Sequence, residues 1–443
     1  MKIIADLQIH SRFARACSKD LTLPNLEKYA KIKGLTVLGT GDFQHPIWNK
    51  EIKENLTEDD KGVLWSKTGF PFLWQTEISL MYKQGGKGRR VHFLIFSPNM
   101  EVSNQVIEAL KKRGRLDYDG RPIFGFSGIE FVEMMASISD KIEIVPAHSW
   151  TPWFGLFGSK TGFDSIKECF EEKTKYIHAI ETGLSSDPAM NWRLSQLDNI
   201  QLVSFSDNHS FWPWRLGREA TVFEAKGLSY KNILHSIRTG DGLVETIEVD
   251  PAYGKYHVDG HRLCGVSLDP AESNKINKTC PKCKRPLTIG VLNRIEQLAD
   301  RPESYKPKDR PGFRSMIPLS ETIAFSLGTS NPASKPVWEI YYKLIQQFGS
   351  ELNVLLDADF ENLSKVIDKK IAENIIRIKE GKVKIIPGFD GIYGAPVFNP
   401  EDEEKLNKER FKSVEKEIKN METEGKKYVA KKDVQQKKLF EFK

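Results

Sequence analysis

At 443 residues the chain is too long for one small core and suits two or three domains, with an apolar fraction of 39% that is ordinary for a globular protein. Lys and Arg exceed Asp and Glu by a net +6, a mild basic excess that permits a nucleic-acid partner without demanding one. No run of about 18 uninterrupted apolar residues occurs and no charged-then-apolar leader opens the chain, so a cytoplasmic protein without a membrane partner is expected; five cysteines, an odd number, argue against a disulfide framework.

From residue 1 to about 250, short β-branched runs alternate with helix-like segments. The predicted strands are Ile3–Ala5, Leu35–Leu38, Phe72–Gln75, Val91–Phe96, Ile142–Val145, Ile177–Ile180 and Leu202–Phe205. Between them lie "LPNLEKYAKIKG", "NQVIEALKKRG", "SIKECFEEKTK" and "NWRLSQLDN", several closed by Gly or Asn. This alternation predicts an α/β fold with a parallel sheet, open or closed into a barrel.

Nearly every predicted strand delivers a metal-type or acid/base side chain at its end, where α/β folds keep their chemistry. After the first come Asp6, Gln8 and His10, which share one face if the segment stays extended. The others supply Asp42, Glu77, His148, Glu181, and Asp207 with His209, while His92 stands at the head of its run. A single such residue is usually a loop cap or a satisfied histidine, but capping gives no reason for repeated histidine.

Residues 251–300 change texture. His261 and Cys264 have ligand spacing, and after a spacer "CPKC" adds Cys280 and Cys283, a pattern that fits a structural zinc site, with His257 as a competing ligand. A Pro-rich linker, "RPESYKPKDRPGFRS", opens a mainly helical unit over 301–400. The segment 401–443 is charged and then ends in the apolar cluster "QQKKLFEFK", which suggests a partner. Basic stretches at 87–90 ("KGRR") and 111–121 ("KKRGRLDYDGR") could track phosphates, or lie on a solvated surface.

The segments "DLQIH", "GTGDFQHP", "TEISL", "RVHFLIF", "VPAHSW", "AIETG" and "FSDNHSFWPWRLGREA" resemble the motifs of the polymerase and histidinol phosphatase (PHP) superfamily. Together with "HRLCGVSLDPAE" and "CPKCKRPLTIGVLNRIEQLADRP" they resemble the endonuclease Q family, from residue 1 to about 400. The resemblance implies a distorted seven-stranded β/α barrel (residues 1–250), a small zinc-binding module and a mainly helical C-terminal domain. It implies a metal-dependent DNA-repair endonuclease that cuts 5′ to uracil, hypoxanthine, xanthine or abasic sites in double- or single-stranded DNA.

Carried over residue by residue, His10, Glu77 and Asp207 would hold one ion, Glu77 would bridge to a second held by His92 and His148, and His209 would serve a third. The motif's leading histidine is Gln8 here, a weak ligand or a support beside Asp6, and its second aspartate–histidine pair is Asp42–Phe43 with His45 nearby. Asp207, Glu77, Asp42 and Glu181 are the candidates for catalytic work, the last two as ligands or proton-handling groups. Histidine with carboxylate suits zinc, manganese or iron better than magnesium, and two or three divalent ions are expected besides one structural zinc. Trp150, Trp153, Phe154, Trp212 and Trp214 are expected to contact the extruded base, or else to pack over the barrel mouth. Gln436, Leu439 and Phe442 match a sliding-clamp peptide, with Lys443 where a second aromatic is usual. Two rival readings are a small-molecule phosphoesterase and a non-catalytic DNA-binding scaffold.

Overall fold

A computed structural model describes residues 1–399 together with 401, 403, 404 and 406–408. Gln436, Leu439 and Phe442, and with them the clamp-peptide expectation, lie outside the described residues. The fold is a mixed α/β architecture built on one large mixed sheet. In spatial order its eight strands are Gly312–Met316, Leu243–Val249, Ala220–Glu224, Lys2–Asp6, Val37–Gly39, Pro71–Leu73, Leu64–Ser66 and Leu56–Glu58. Lys2–Asp6 runs parallel to Val37–Gly39, and that strand parallel to Pro71–Leu73, whereas Ala220–Glu224 pairs antiparallel with Lys2–Asp6. A four-stranded sheet follows the order Ile123–Phe124, Gln75–Gln84, Lys87–Phe96, Glu143–Pro146, and Ala179–Glu181 pairs parallel with Gln201–Val203.

The expectation of a uniformly parallel repeat is therefore corrected at one place above all. Gln75–Gln84 and Lys87–Phe96 form a long antiparallel hairpin. The cause lies in the two residues joining them, Gly85 at φ +58° and Gly86 at φ +74°, a left-handed pair that closes a tight turn. With no crossover helix between them, parallel pairing is unreachable.

Helices cover the sheets for local reasons that the sequence supplies. Leu23–Lys33 starts at Thr22, whose side chain accepts from Asn25 N, and stops at Gly34 with φ +100°. Lys335–Phe348 buries Val337, Tyr341 and Leu344 on one stripe. That stripe enters the same core as Ile9, Trp48 and Phe93 of the first unit. Gly312–Met316, which has no β-branched residue, also leaves the helical unit to pair with Leu243–Val249. Between the two units, the hairpin Asp259–His261 and Val266–Leu268 carries its own small core of Val266, Cys280 and Leu287. No helix among the described residues is long and apolar enough to cross a membrane.

Candidate metal centre

Past Asp6 the first strand remains extended, because Ile9 bridges Asn208 in parallel and His10 N donates to the Asn208 side chain at 3.0 Å. This carries His10 to the segment that holds Asp207 and His209. Asp6 itself turns to that segment as a brace, accepting from Ser206 N and Gly217 N. Burial pushes its carboxyl up to about 6 despite these bonds.

Two groups with metal-ligand chemistry result, His10 with Asp207 and His209, and Glu77 with His92 and His148; within each, the candidate ligand atoms lie within 4.8 Å of one another. Glu77, fully buried, stands between them. Its Oε2 is 2.9 Å from His10 Nε2, which is 3.2 Å from Asp207 Oδ1. Its Oε1 is 2.6 Å from His92 Nδ1 and 3.4 Å from His148 Nε2, and those two nitrogens are 3.2 Å apart. Although His92 is so close, Glu77 Oε1 has no hydrogen-bond partner. A buried carboxylate oxygen without a hydrogen-bond partner, crowded by imidazole nitrogens, fits a cation, and the imidazole–carboxylate donor set suits a transition metal.

Asp42, His148 and Asp207 all have positive φ, at 40°, 30° and 46°. Such backbone costs about 1–3 kcal/mol per residue and persists where the surroundings over-determine it, commonly at functional sites.

The remaining predicted residues take supporting places or fall outside. Asp42 Oδ1 is 3.2 Å from His10 Nδ1, and its Oδ2 accepts from Ser11 N and Oγ, both at 2.6 Å. Glu181 accepts from His148 N. Gln8 lies between Glu77 and Glu181: its amide nitrogen donates to Glu77 Oε2 at 3.3 Å, or with the amide turned over donates to both Glu181 oxygens. His45 caps the helix Pro46–Asn55 and stacks on Phe13, outside both groups. Phe43, standing where the motif has histidine, is buried against Trp74.

Among the aromatic candidates Trp150 is buried against Phe157 and its Nε1 donates to Asn191, a place that fits the packing alternative. Phe154 covers the His92 ring at 4.4 Å. Trp212 and Trp214 stack on each other at 5.2 Å and tilt against Trp338 of the helical unit. Trp153 is 36% exposed.

Arg121 escaped the sequence reading as part of this site. Its Nη1 is 3.6 Å from Glu77 Oε2. Burial opposes the Glu77 charge, yet Arg121, His92 and His10 hold its carboxyl well below the usual range. Burial, with Arg121 adding to it and Glu77 opposing, brings the His92 imidazole down to about 4, which leaves the lone pair of one ring nitrogen free. For His10, burial is outweighed by Asp42, Asp207 and Glu77, which raise it well above 6.5. Burial and then the Asp207, Glu219 and Glu77 charges push Glu181 well above 4.5.

In the small module His261, Cys264, Cys280 and Cys283 converge within the same 4.8 Å, His261 Nδ1 standing 3.4 Å from Cys283 Sγ. Desolvation would raise the Cys280 thiol, but the backbone N–H groups of Cys283 and Lys282 outweigh it and bring it to about 6. The competing His257 stays outside this group.

Residues 318–382 match the family described as MJ0043 C-terminal domain. The chain is 34% identical over 265 residues to the uncharacterized protein MJ0043 of Methanocaldococcus jannaschii; the match takes in 59% of the chain but only 32% of that protein, so the chain spans about a third of this relative's length. It superposes on the lesion-specific endonuclease PfuEndoQ of Pyrococcus furiosus with a TM-score of 0.80 and 32% identity, covering 91% of this chain and 99% of that one. A crystal structure of endonuclease Q with a 27-mer duplex bearing an abasic lesion matches with a TM-score of 0.82 and 33% identity, over 90% of this chain and 98% of that one.

Proposed function

The chain belongs to the endonuclease Q family and is a DNA endonuclease, and on that premise we propose that it repairs DNA by metal-dependent hydrolysis of the phosphodiester 5′ to deaminated bases (uracil, hypoxanthine, xanthine) or abasic sites, on a PHP-type β/α barrel. The observation that carries this reading is Glu77 facing a different ligand group with each oxygen. Bound divalent ions, two or three of zinc, manganese or magnesium, would supply an activated water and charge neutralisation at the leaving oxygen. His10, Asp207 and His209 would hold one ion and His92 with His148 another, joined by Glu77.

The protein's own groups orient that set. Asp42 would fix the tautomer of His10 by accepting a hydrogen bond from its Nδ1–H, leaving Nε2 turned to Glu77 and Asp207. Glu181 holds the backbone of His148, and Gln8 donates to the carboxylates between the two groups instead of adding a ligand. Trp153, at the exposed end of the aromatic loop, and the half-buried Phe154, Trp212 and Trp214 are the aromatic residues proposed to meet a displaced base. His261, Cys264, Cys280 and Cys283 would close a four-ligand structural zinc with no open position. A sliding clamp taken by Gln436, Leu439 and Phe442 remains part of the proposal.

A nicking assay on duplexes with and without uracil or an abasic site, in added metal, tests this reading. Lesion-dependent nicks that vanish with chelator and in Asp207→Ala are expected. Nicking that persists in Asp207→Ala would point to a contaminant; hydrolysis of phosphomonoesters alone would favour a small-molecule phosphoesterase, and DNA binding without any nick a scaffold.

A further inference from the structure

The two basic stretches of the sequence end in different places. Arg89, in the first, turns inward to pair with Glu168 and lie over the Phe163 ring at 4.0 Å, so it is a structural cation. Arg121, at the end of the second, is fixed from both sides by the elements that carry the candidate ligands. Gly120 N donates to Phe13 O at 3.0 Å and Gln44 Nε2 donates to Gly120 O, which ties the loop to the segment after His10. Ser79 N donates to Pro122 O at 3.0 Å, which ties it to the strand of Glu77. The approach is so close that a Cβ on Gly120 would stand 2.3 Å from Asp42 Oδ2. Arg121 is thereby held over the site with its side chain 20% exposed.

Its guanidinium makes no side-chain hydrogen bond among the described residues; the ion pair with Glu77 at 3.6 Å is too long to be one. Five donors in a fixed fork, largely removed from water and unmatched by protein acceptors, suit an incoming group that brings its own oxygens. Arginine meets phosphate in this bidentate manner. Neutralising Glu77 alone would not explain the free donors, since a cation between the two ligand groups already does that work.

We propose that Arg121 binds the phosphodiester to be cut, donating to its non-bridging oxygens, and so is a catalytic residue contributed by the loop before Ile123. This rests on the endonuclease reading above. The test compares Asp207→Asn with Asp207→Asn/Arg121→Gln as full-length proteins, by equilibrium binding to an abasic-site duplex over a salt series, alongside the metal content of each. The slope of log affinity against log salt should fall by about one on loss of Arg121, the amount released by one phosphate contact, with metal content unchanged. In the otherwise native chain Arg121→Gln should slow nicking by roughly 100-fold, comparable to removing one donor from an anion-stabilising site, and Arg121→Lys should restore the salt slope but only part of the rate.

An unchanged slope would overturn the proposal, as would a loss of bound metal with the slope intact, which would make Arg121 a mere counter-charge. Should the native chain nick no lesion duplex, the endonuclease reading fails on its own, while the salt slope still reports whether Arg121 meets a phosphate.

Discussion

The Asp42 carboxylate accepts from Ser11 with one oxygen and faces His10 Nδ1 with the other, in a left-handed backbone conformation that only a tightly specified loop would keep. A carboxylate behind an imidazole fixes the ring and raises its basicity, and its loss commonly weakens metal affinity about 10–100-fold. Asp42→Asn should therefore retain metal less tightly by that margin and nick more slowly, measured by metal competition and single-turnover rates; equal metal affinity would remove Asp42 from its positioning role. A second residue-scale consequence concerns Glu248 and Glu219, both fully buried. Burial raises Glu248 from 4.5 to about 8, and burial with the Glu248 charge raises Glu219 in the same direction. The folded state then keeps a proton that the unfolded state gives up, so this pair's contribution to stability is fully present at acid pH and is lost as pH rises from about 4.5 towards 8, by up to about 1.4 kcal/mol per unit for each group. Glu248→Gln should flatten that fall in urea melts between pH about 5 and 8; an unaltered pH slope would contradict the assignment.

At the scale of elements, short β-branched runs mark where strands stop, and Asp6, His148, Glu181 and Asp207 lie at or past such ends, but Glu77 and His92 stand inside the strands Gln75–Gln84 and Lys87–Phe96. What a strand pairs with was less legible. The hairpin Gln75–Gln84 with Lys87–Phe96 turns on "GG", and it sets Glu77 across from Leu94, so that His92 lies two places along on the partner strand. Gly86→Ala would force φ +74° on a residue with a Cβ, in open space, and should cost about 1–2 kcal/mol through backbone strain alone. A chemical-denaturation midpoint that does not move would show that the turn adopts another form. Arg121 was read only as part of a basic stretch because its place depends on Gly120 packing against Asp42, a contact no periodicity encodes. For Trp150 the two alternatives could not be told apart for a related reason: an aromatic after a histidine looks the same in sequence whether it covers a site or, as here, is buried in the core.

At the scale of the whole molecule, the helical unit and the first unit share one core, and a buried ion pair crosses between them. Lys33 Nζ is 2.7 Å from Glu351 Oε1, both fully buried, and Lys33 also donates to Pro213 O while Tyr341 OH donates to Glu351 Oε2. Glu351→Ala would leave the Lys33 charge buried without its partner, at a cost of about 3–5 kcal/mol by thermal or chemical melts. A loss under about 1 kcal/mol would show that water reaches Lys33. The Pro-rich stretch 301–315 reads as a linker in the sequence, yet its last residues belong to the strand Gly312–Met316 of the first sheet, where Arg314 also pairs with Glu245; a strand without β-branched residues gives no periodic signal of this return. At the centre of the proposed chemistry Glu77 turns one oxygen to each of two groups of candidate metal ligands. Electron paramagnetic resonance of the manganese-loaded protein tests this most directly: an exchange-coupled pair in the native chain that is lost in Glu77→Gln is the predicted result, and signals from isolated ions alone in the native chain would contradict it.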